Sequence, residues 1–226
     1  MDGTSTSWVN TTHDWAGTVD VDHLAGIRQE PTRFAPGGPG HLLLEVIAYA
    51  ADEAAGRGGG RCVVTLHSDG SASVEDDGRG TDTRVDGHGR VVKKPVMATK
   101  DLRFFDLPEA ERLPDGHPRR GMSVVAALSE RLVHTNRRLN GSWVQHYAHG
   151  VPVTDLEPVE SDGTTGTCVR FLPDEGLRAQ GAFTSDDLAR WSGHWPELTL
   201  HIEDRRDGGA DRVAGRTGPA RGNPSG

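Results

Sequence analysis

A chain of 226 residues suits one well-packed domain, since domains usually run to about 100–200 residues. Apolar residues make up only 34%, so the polar, glycine-rich ends must dilute a richer middle, and the core is expected within about 18–204, in one domain spanning 20–204. The formal charge of −8, with 33 acids against 25 bases, excludes a bulk electrostatic footprint for DNA or an anionic membrane.

Among the bases only Lys93, Lys94 and Lys100 are lysine. That arginine bias reads as codon usage rather than as a phosphate-binding signature. Cys62 and Cys168 are the only cysteines, too few for a disulfide framework or an unaided zinc site, so reduced thiols are expected. The N-terminus lacks a basic and an apolar leader region, and nowhere do 18 apolar residues run together, so a cytoplasmic, unanchored protein is expected.

Residues 1–19, rich in Ser, Thr and Gly, read as a flexible arm. The stretch 21–34 reads as an amphipathic helix stopped by Pro31. HLLLEVIAYAADEA, 41–54, is the first long helix: at about 100° per residue Leu43, Val46, Ile47, Ala50 and Ala54 share one side, and Glu45, Tyr49 and Asp52 the other. RCVVTLHSDGSASVEDDGRG, 61–80, has the β-branched strand, turn and second strand of a hairpin. From 81 to 120, glycines and prolines predict a long loop with one short helix at 108–113, and loops of that length are usually functional.

GMSVVAALSERL, 121–132, reads as a helix. Residues 133–150 read as a hairpin turning at Asn140-Gly141. TTGTCVRFL, 164–172, reads as a buried strand, Thr184 as a helix cap, and LTLHIED, 198–204, as a last strand. The tail 205–226 has no periodicity and reads as disordered. There is no P-loop, no strand-anchored G-x-G-x-x-G, no G-x-S-x-G elbow and no H-E-x-x-H. The scattered histidines, with His146 and His149 pointing to opposite faces of a hairpin, offer no ligand spacing.

What remains is an order of motifs: EVIAYAADEA, SVEDDGRG, GMSVVAALS, HYAHGVP and TTGTCVRFLPD. In that order they resemble the N-terminal ATPase domain of the DNA gyrase B family (type II DNA topoisomerases, an isomerase class), within the GHKL superfamily. The resemblance covers about 21–208. It implies an α/β two-layer sandwich, a mixed and mostly antiparallel sheet with helices on one face, known as the Bergerat or histidine-kinase-like ATPase fold. AHGVP and GTCVRFLPD are features of the gyrase type rather than of the histidine kinases.

The resemblance also implies site roles. Asp76 would accept a hydrogen bond from the adenine amino group and Thr167 would hold the water between them. Gly78 and Gly80 would let backbone approach the base, Arg79 would pair with Glu53, and Arg138 would flank the adenine edge. Asp52 and Gly121 belong to the same nucleotide-binding set. Glu45 would be the general base, with partial burial raising its pKa; the plainer alternative is a helix face that ends in solvent.

Three departures bear on activity. Tyr49 stands where the family has its Mg²⁺-binding asparagine, and a bulky neutral phenol is a poor ligand for a hard cation. Ala48 replaces a neighbouring aspartate. His117-Pro118-Arg119-Arg120-Gly121 replaces a Leu-His-Gly-Val-Gly lid whose amides cradle phosphate, leaving only Gly121 and adding two cations that phosphate could meet directly. A chain of this extent is also expected to lack the transducer and DNA-cleavage parts.

The expected function is therefore binding of ATP or ADP with weak or no hydrolysis and without Mg²⁺, by a monomer that does not contact DNA and has another gyrase component as a possible partner. A slow ATPase completed by a partner protein, and a nucleotide-free interaction module, stay open as alternatives.

Overall fold

The computed structural model describes residues 19–206, apart from 86, 89–90, 95, 106–109 and 183. The expected arm, except Val19, and the tail beyond Arg206 lie outside the described residues.

The chain opens with α1, Val21–Gln29, whose N-cap Asp20 accepts from the His23 amide at 3.0 Å. Pro31 ends α1 as expected, yet it also begins a second short helix, α2, Pro31–Phe34. Proline suits a first helical position because its missing N–H would have no intrahelical partner there. The long helix α3 spans Pro39–Arg57, starting earlier and ending later than the apolar stretch that signals it. Every residue from Leu42 to Ala48 is buried, Glu45 included. Its polar side is therefore enclosed at Glu45, while Asp52, two turns on, is exposed.

Strands β1, Gly60–Leu66, and β2, Ala72–Asp76, form the expected hairpin. After it come a small separate hairpin, β3, Thr83–Val85, with β4, Val91–Lys93, and a single-turn helix α4, Leu102–Phe105. The helix expected at 108–113 is not found: 108 and 109 lie outside the described residues, and 110–113 holds only an isolated bridge at Arg112. Its backbone is committed elsewhere, with Arg112 bridging Pro118 and Leu113 donating to the His117 carbonyl at 2.9 Å.

Helix α5 covers only Met122–Ala127. Ser129 to Leu132, expected as helix, already belong to β5, Ser129–Arg138, because that segment pairs with the strand β9, Gly166–Pro173. The hairpin to β6, Gly141–Ala148, turns at Leu139-Asn140, one residue earlier than expected, and Arg138 pairs with Gly141 across it. Short strands β7, Val151–Pro152, and β8, Glu157–Val159, follow before β9. Helices α6, Glu175–Arg178, and α7, Ser185–Trp191, the latter capped by Thr184, lead to β10, Leu198–Asp204.

The large sheet runs β10-β1-β2-β9-β5-β6-β7, with β8 beside β6. Only β1 and β10 pair in parallel; the other pairs are antiparallel. Helices α3 and α5 pack on this sheet, α3 over β1, β2 and β10 and α5 over β5, β6 and β9. The result is the expected mixed α/β sandwich. Its core joins Leu43, Ile47 and Val125 to Val64, Val74, Val169 and Phe171. Among the described residues no helix is long and apolar enough to cross a membrane.

Candidate functional site

The site lies where α3 faces the end of β2 and the loops after it. Asp76 closes β2, and the next residues turn back toward α3. One Asp76 carboxylate oxygen accepts from the Gly78 amide at 2.8 Å. The other accepts from the Thr167 hydroxyl on β9, so a strand pair brings these two distant residues into contact. Burial pushes the Asp76 pKa upward, against the hydrogen bonds from Thr167 and Gly78, which pull it down.

The backbone at this joint is closely fitted. A Cβ at Gly166 would lie 1.9 Å from the Asp76 carbonyl oxygen, and one at Gly80, where φ is +78°, would lie 2.5 Å from the Arg137 carbonyl. Only glycine meets both the contact and the backbone angle at Gly80. Arg138 donates to the Gly80 carbonyl and to Asp82, both at 2.8 Å. It thus braces the glycine turn. Arg79 pairs with Glu53 through its amide, Nε and Nη2 at 2.7–3.0 Å.

Next along α3, the Tyr49 hydroxyl sits 3.0 Å from the Thr81 hydroxyl. Asn136, fully buried on β5, holds Thr81 in place by accepting from its amide at 2.6 Å and donating to its carbonyl at 3.0 Å. Burial pushes the Tyr49 phenol up to about 12, so it is neutral at physiological pH.

Asp52 is claimed by two arginines. Arg119, 2% exposed, grips both carboxylate oxygens at 2.8 and 2.9 Å and also reaches Glu111 at 3.1 Å. Arg103 reaches Asp52 at 3.1 Å and Asp101 at 2.8 Å. Both guanidinium groups lie over the Phe104 ring, 4.4 and 4.7 Å from its centre, within the range of cation–π attraction.

Glu45 is enclosed rather than partly exposed. Its two oxygens accept from the amides of Arg120 and Gly121, the latter at 2.8 Å, at the N-terminal end of α5. An anion there is stabilised by unpaired amides and the helix dipole. One turn earlier, His41 lies 3.4 Å from Glu45, an ion-pair contact, and hydrogen-bonds Asp115 at 2.7 Å. Burial alone would lower the His41 pKa, but Asp115 and Glu45 raise it to about 9. A buried chain of acid, imidazolium and acid therefore ties the 113–117 turn to α3.

These groups border two spaces. A cavity of about 190 Å³ is lined by Tyr49, Asp52, Glu53, Asp76, Arg103 and Thr167, with Gly80 and Lys94. Behind it, between Glu45, Tyr49, Phe104, Arg119 and Gly121, only about 10 Å³ remains, room for roughly one water. Larger hollows, about 310 Å³ beside Trp191 and 400 Å³ along β5 and β6, lie elsewhere. The smaller cavity is the candidate because Asp76, a carboxylate that burial makes more basic, lines it.

Of the residues singled out in the sequence, Asp76, Thr167, Glu53, Asp52, Gly80 and Tyr49 meet at this cavity. Gly78 and Arg79 support it from behind through Asp76 and Glu53. Glu45 and Gly121 bond to each other beside the smaller space, and Arg138 holds the turn. Sequence reasoning missed His41, Asp115, Arg103, Phe104, Asn136 and Gly166. Only the i, i+4 spacing of His41 and Glu45 on a helix could have signalled one of them.

The residues present do not fit Mg²⁺. Tyr49 is a neutral phenol bonded to Thr81, Asp52 is held by guanidinium groups and Glu45 by amides.

An open, mostly antiparallel sheet carrying helices, with a half-buried carboxylate at the end of a strand facing the first long helix, is the arrangement of an α/β-sandwich ATPase fold. The chain is a divergent DNA gyrase B-like domain. It is 34% identical over 198 residues to the DNA gyrase B protein of Thermotoga maritima, covering 79% of this chain and 30% of that protein. It is 36% identical over 178 residues to the DNA gyrase B protein of Archaeoglobus fulgidus (75% and 28%) and 33% over 190 residues to the mitochondrial DNA gyrase B protein of Arabidopsis thaliana (76% and 25%). The chain thus spans less than a third of the length of these relatives. No family model matches it.

Proposed function

We propose that this domain binds an adenine nucleotide and hydrolyses it weakly or not at all. The observation that carries the reading is Asp76: a half-buried carboxylate, held by Gly78 and Thr167, at a cavity of about 190 Å³. A carboxylate aimed at an exocyclic amino group accepts a hydrogen bond from it, and guanine would present a carbonyl there instead, so the site favours adenine.

Weak hydrolysis follows from two features. A general base must reach the attacking water, yet Glu45 is fully enclosed beneath the amides of Arg120 and Gly121, with room for about one water beside it. Metal assistance has no ligand set to work through, because Tyr49, Asp52 and Glu45 are all committed to protein partners. The domain acts as a monomer without DNA contact, consistent with its charge of −8, and another gyrase component is the proposed partner. Light scattering giving twice the 24.3 kDa chain mass would overturn the monomer.

The test is calorimetric titration of ATP and ADP, with and without Mg²⁺, into the native chain and Asp76→Ala. Binding abolished by the substitution supports the adenine pocket. Phosphate release that depends on Mg²⁺ would support a slow ATPase instead, and no binding of any adenine nucleotide would leave an interaction module.

A further inference from the structure

The misfit with Mg²⁺ raises the question of what would balance the charge of a phosphate here. The cavity that holds Asp76 is also lined by Arg103 and Lys94. Arg103 is positioned by Asp101 and by the Phe104 ring beneath it, and its second carboxylate partner, Asp52, is itself a cavity wall. Arg119, almost fully buried, keeps Asp52 and Glu111 as partners, while its Nε donates to no acceptor. The lining thus sets two cations, Arg103 and Lys94, beside three carboxylates, of which Glu53 is paired by Arg79 and Asp52 by Arg119.

We propose that the cavity takes a short adenine nucleotide, AMP or ADP in preference to ATP, without a metal ion, with Arg103 and Lys94 as partners of its phosphate. This rests on the adenine reading of Asp76. A guanidinium fork matches two phosphate oxygens and supplies the countercharge that Mg²⁺ would otherwise provide. The entering phosphate takes the place of Asp52 on Arg103, and Asp52 stays neutralised by Arg119. Asp52 is therefore a built-in competitor for the same cation.

Chain length of the ligand is limited by space. The adjoining space beside Glu45, about 10 Å³, is closed by Phe104 and Arg119 and bordered by a carboxylate. A third phosphate would have to open it against both.

The experiment is titration calorimetry with adenosine, AMP, ADP and ATP, in EDTA and in Mg²⁺, on the native chain, Arg103→Gln, Asp52→Asn and Asp76→Asn, each variant checked for folding by thermal melting. AMP or ADP should bind at least about tenfold tighter than adenosine and than ATP, a margin one charge-assisted pair can supply, and with no dependence on Mg²⁺. Arg103→Gln should remove that margin while adenosine binding stays, and Asp52→Asn should tighten AMP. Adenosine binding as well as AMP, tightening by Mg²⁺, or an unchanged Arg103→Gln overturns the phosphate assignment while leaving the adenine pocket. Failure of all four ligands to bind, or binding untouched by Asp76→Asn, overturns the adenine reading and this proposal with it. The ligand and metal comparisons need only the native chain, so they decide the matter even if a variant does not fold.

Discussion

Replacing Glu45 separates a structural from a catalytic carboxylate. In Glu45→Ala the amides of Arg120 and Gly121 lose their acceptor and His41 loses one of its two anionic neighbours. All of this occurs at a position with no exposure. Leaving a buried amide without its acceptor costs about 1–3 kcal/mol, and breaking a buried ion pair about 3–5 kcal/mol. Because the amide contacts and the pair share one side chain, these costs overlap, and a total of about 3–5 kcal/mol is expected. Against a typical domain stability of roughly 5–15 kcal/mol, this is a large share, and it lowers the melting temperature by about 6–20 °C at the 2–4 °C per kcal/mol usual for chains of this length. Urea unfolding with an unchanged m-value is the assay. A loss below about 1 kcal/mol, the size of an ordinary hydrogen bond, would show that the carboxylate carries no structural role and is available as a base.

Three further outcomes follow from the same geometry. His41 has its pKa raised from 6.5 to about 9 in the folded chain, so its stabilisation is complete below pH 6.5 and is lost as pH rises through 9, amounting to no more than about 3 kcal/mol; urea midpoints of the native chain should fall over that window and those of His41→Gln should fall less, and parallel profiles would refute the assignment. Restoring an asparagine with Tyr49→Asn should not create Mg²⁺-dependent phosphate release, because Arg119 still occupies Asp52 and the amides still occupy Glu45; an assay that detects turnover would show that Tyr49 was the sole block. Gly166→Ala should cost more than about 2 kcal/mol, since its Cβ would collide with the Asp76 backbone at 1.9 Å. By contrast Gly176→Ala, in α6 with nothing within 4 Å, should be neutral or stabilising by up to about 1 kcal/mol in a thermal melt.

The sequence alone determined the parts of this protein that repeat a local rule. Strand β10 occupies the bounds its alternating residues predict, Thr184 caps α7, and the β1–β2 hairpin ends in the expected acids. Asp76 with Thr167 and Glu53 with Arg79 were legible because they belong to an ordered set of motifs. The end of α5 was not, because strand pairing with β9 outcompeted the helical propensity of Ser129 to Leu132. The 81–120 segment was not either, since its short strands and its bridge at Arg112 answer to partners rather than to periodicity.

Only the tertiary structure decided what the acidic side of α3 does. Arg119 lies 67 residues from Asp52, and the amides that hold Glu45 lie 75 and 76 residues away. No pattern within one element encodes such pairs. They form because the segment 111–121 folds back over α3, and in a space with room for about one water a carboxylate must take the donors that enclose it.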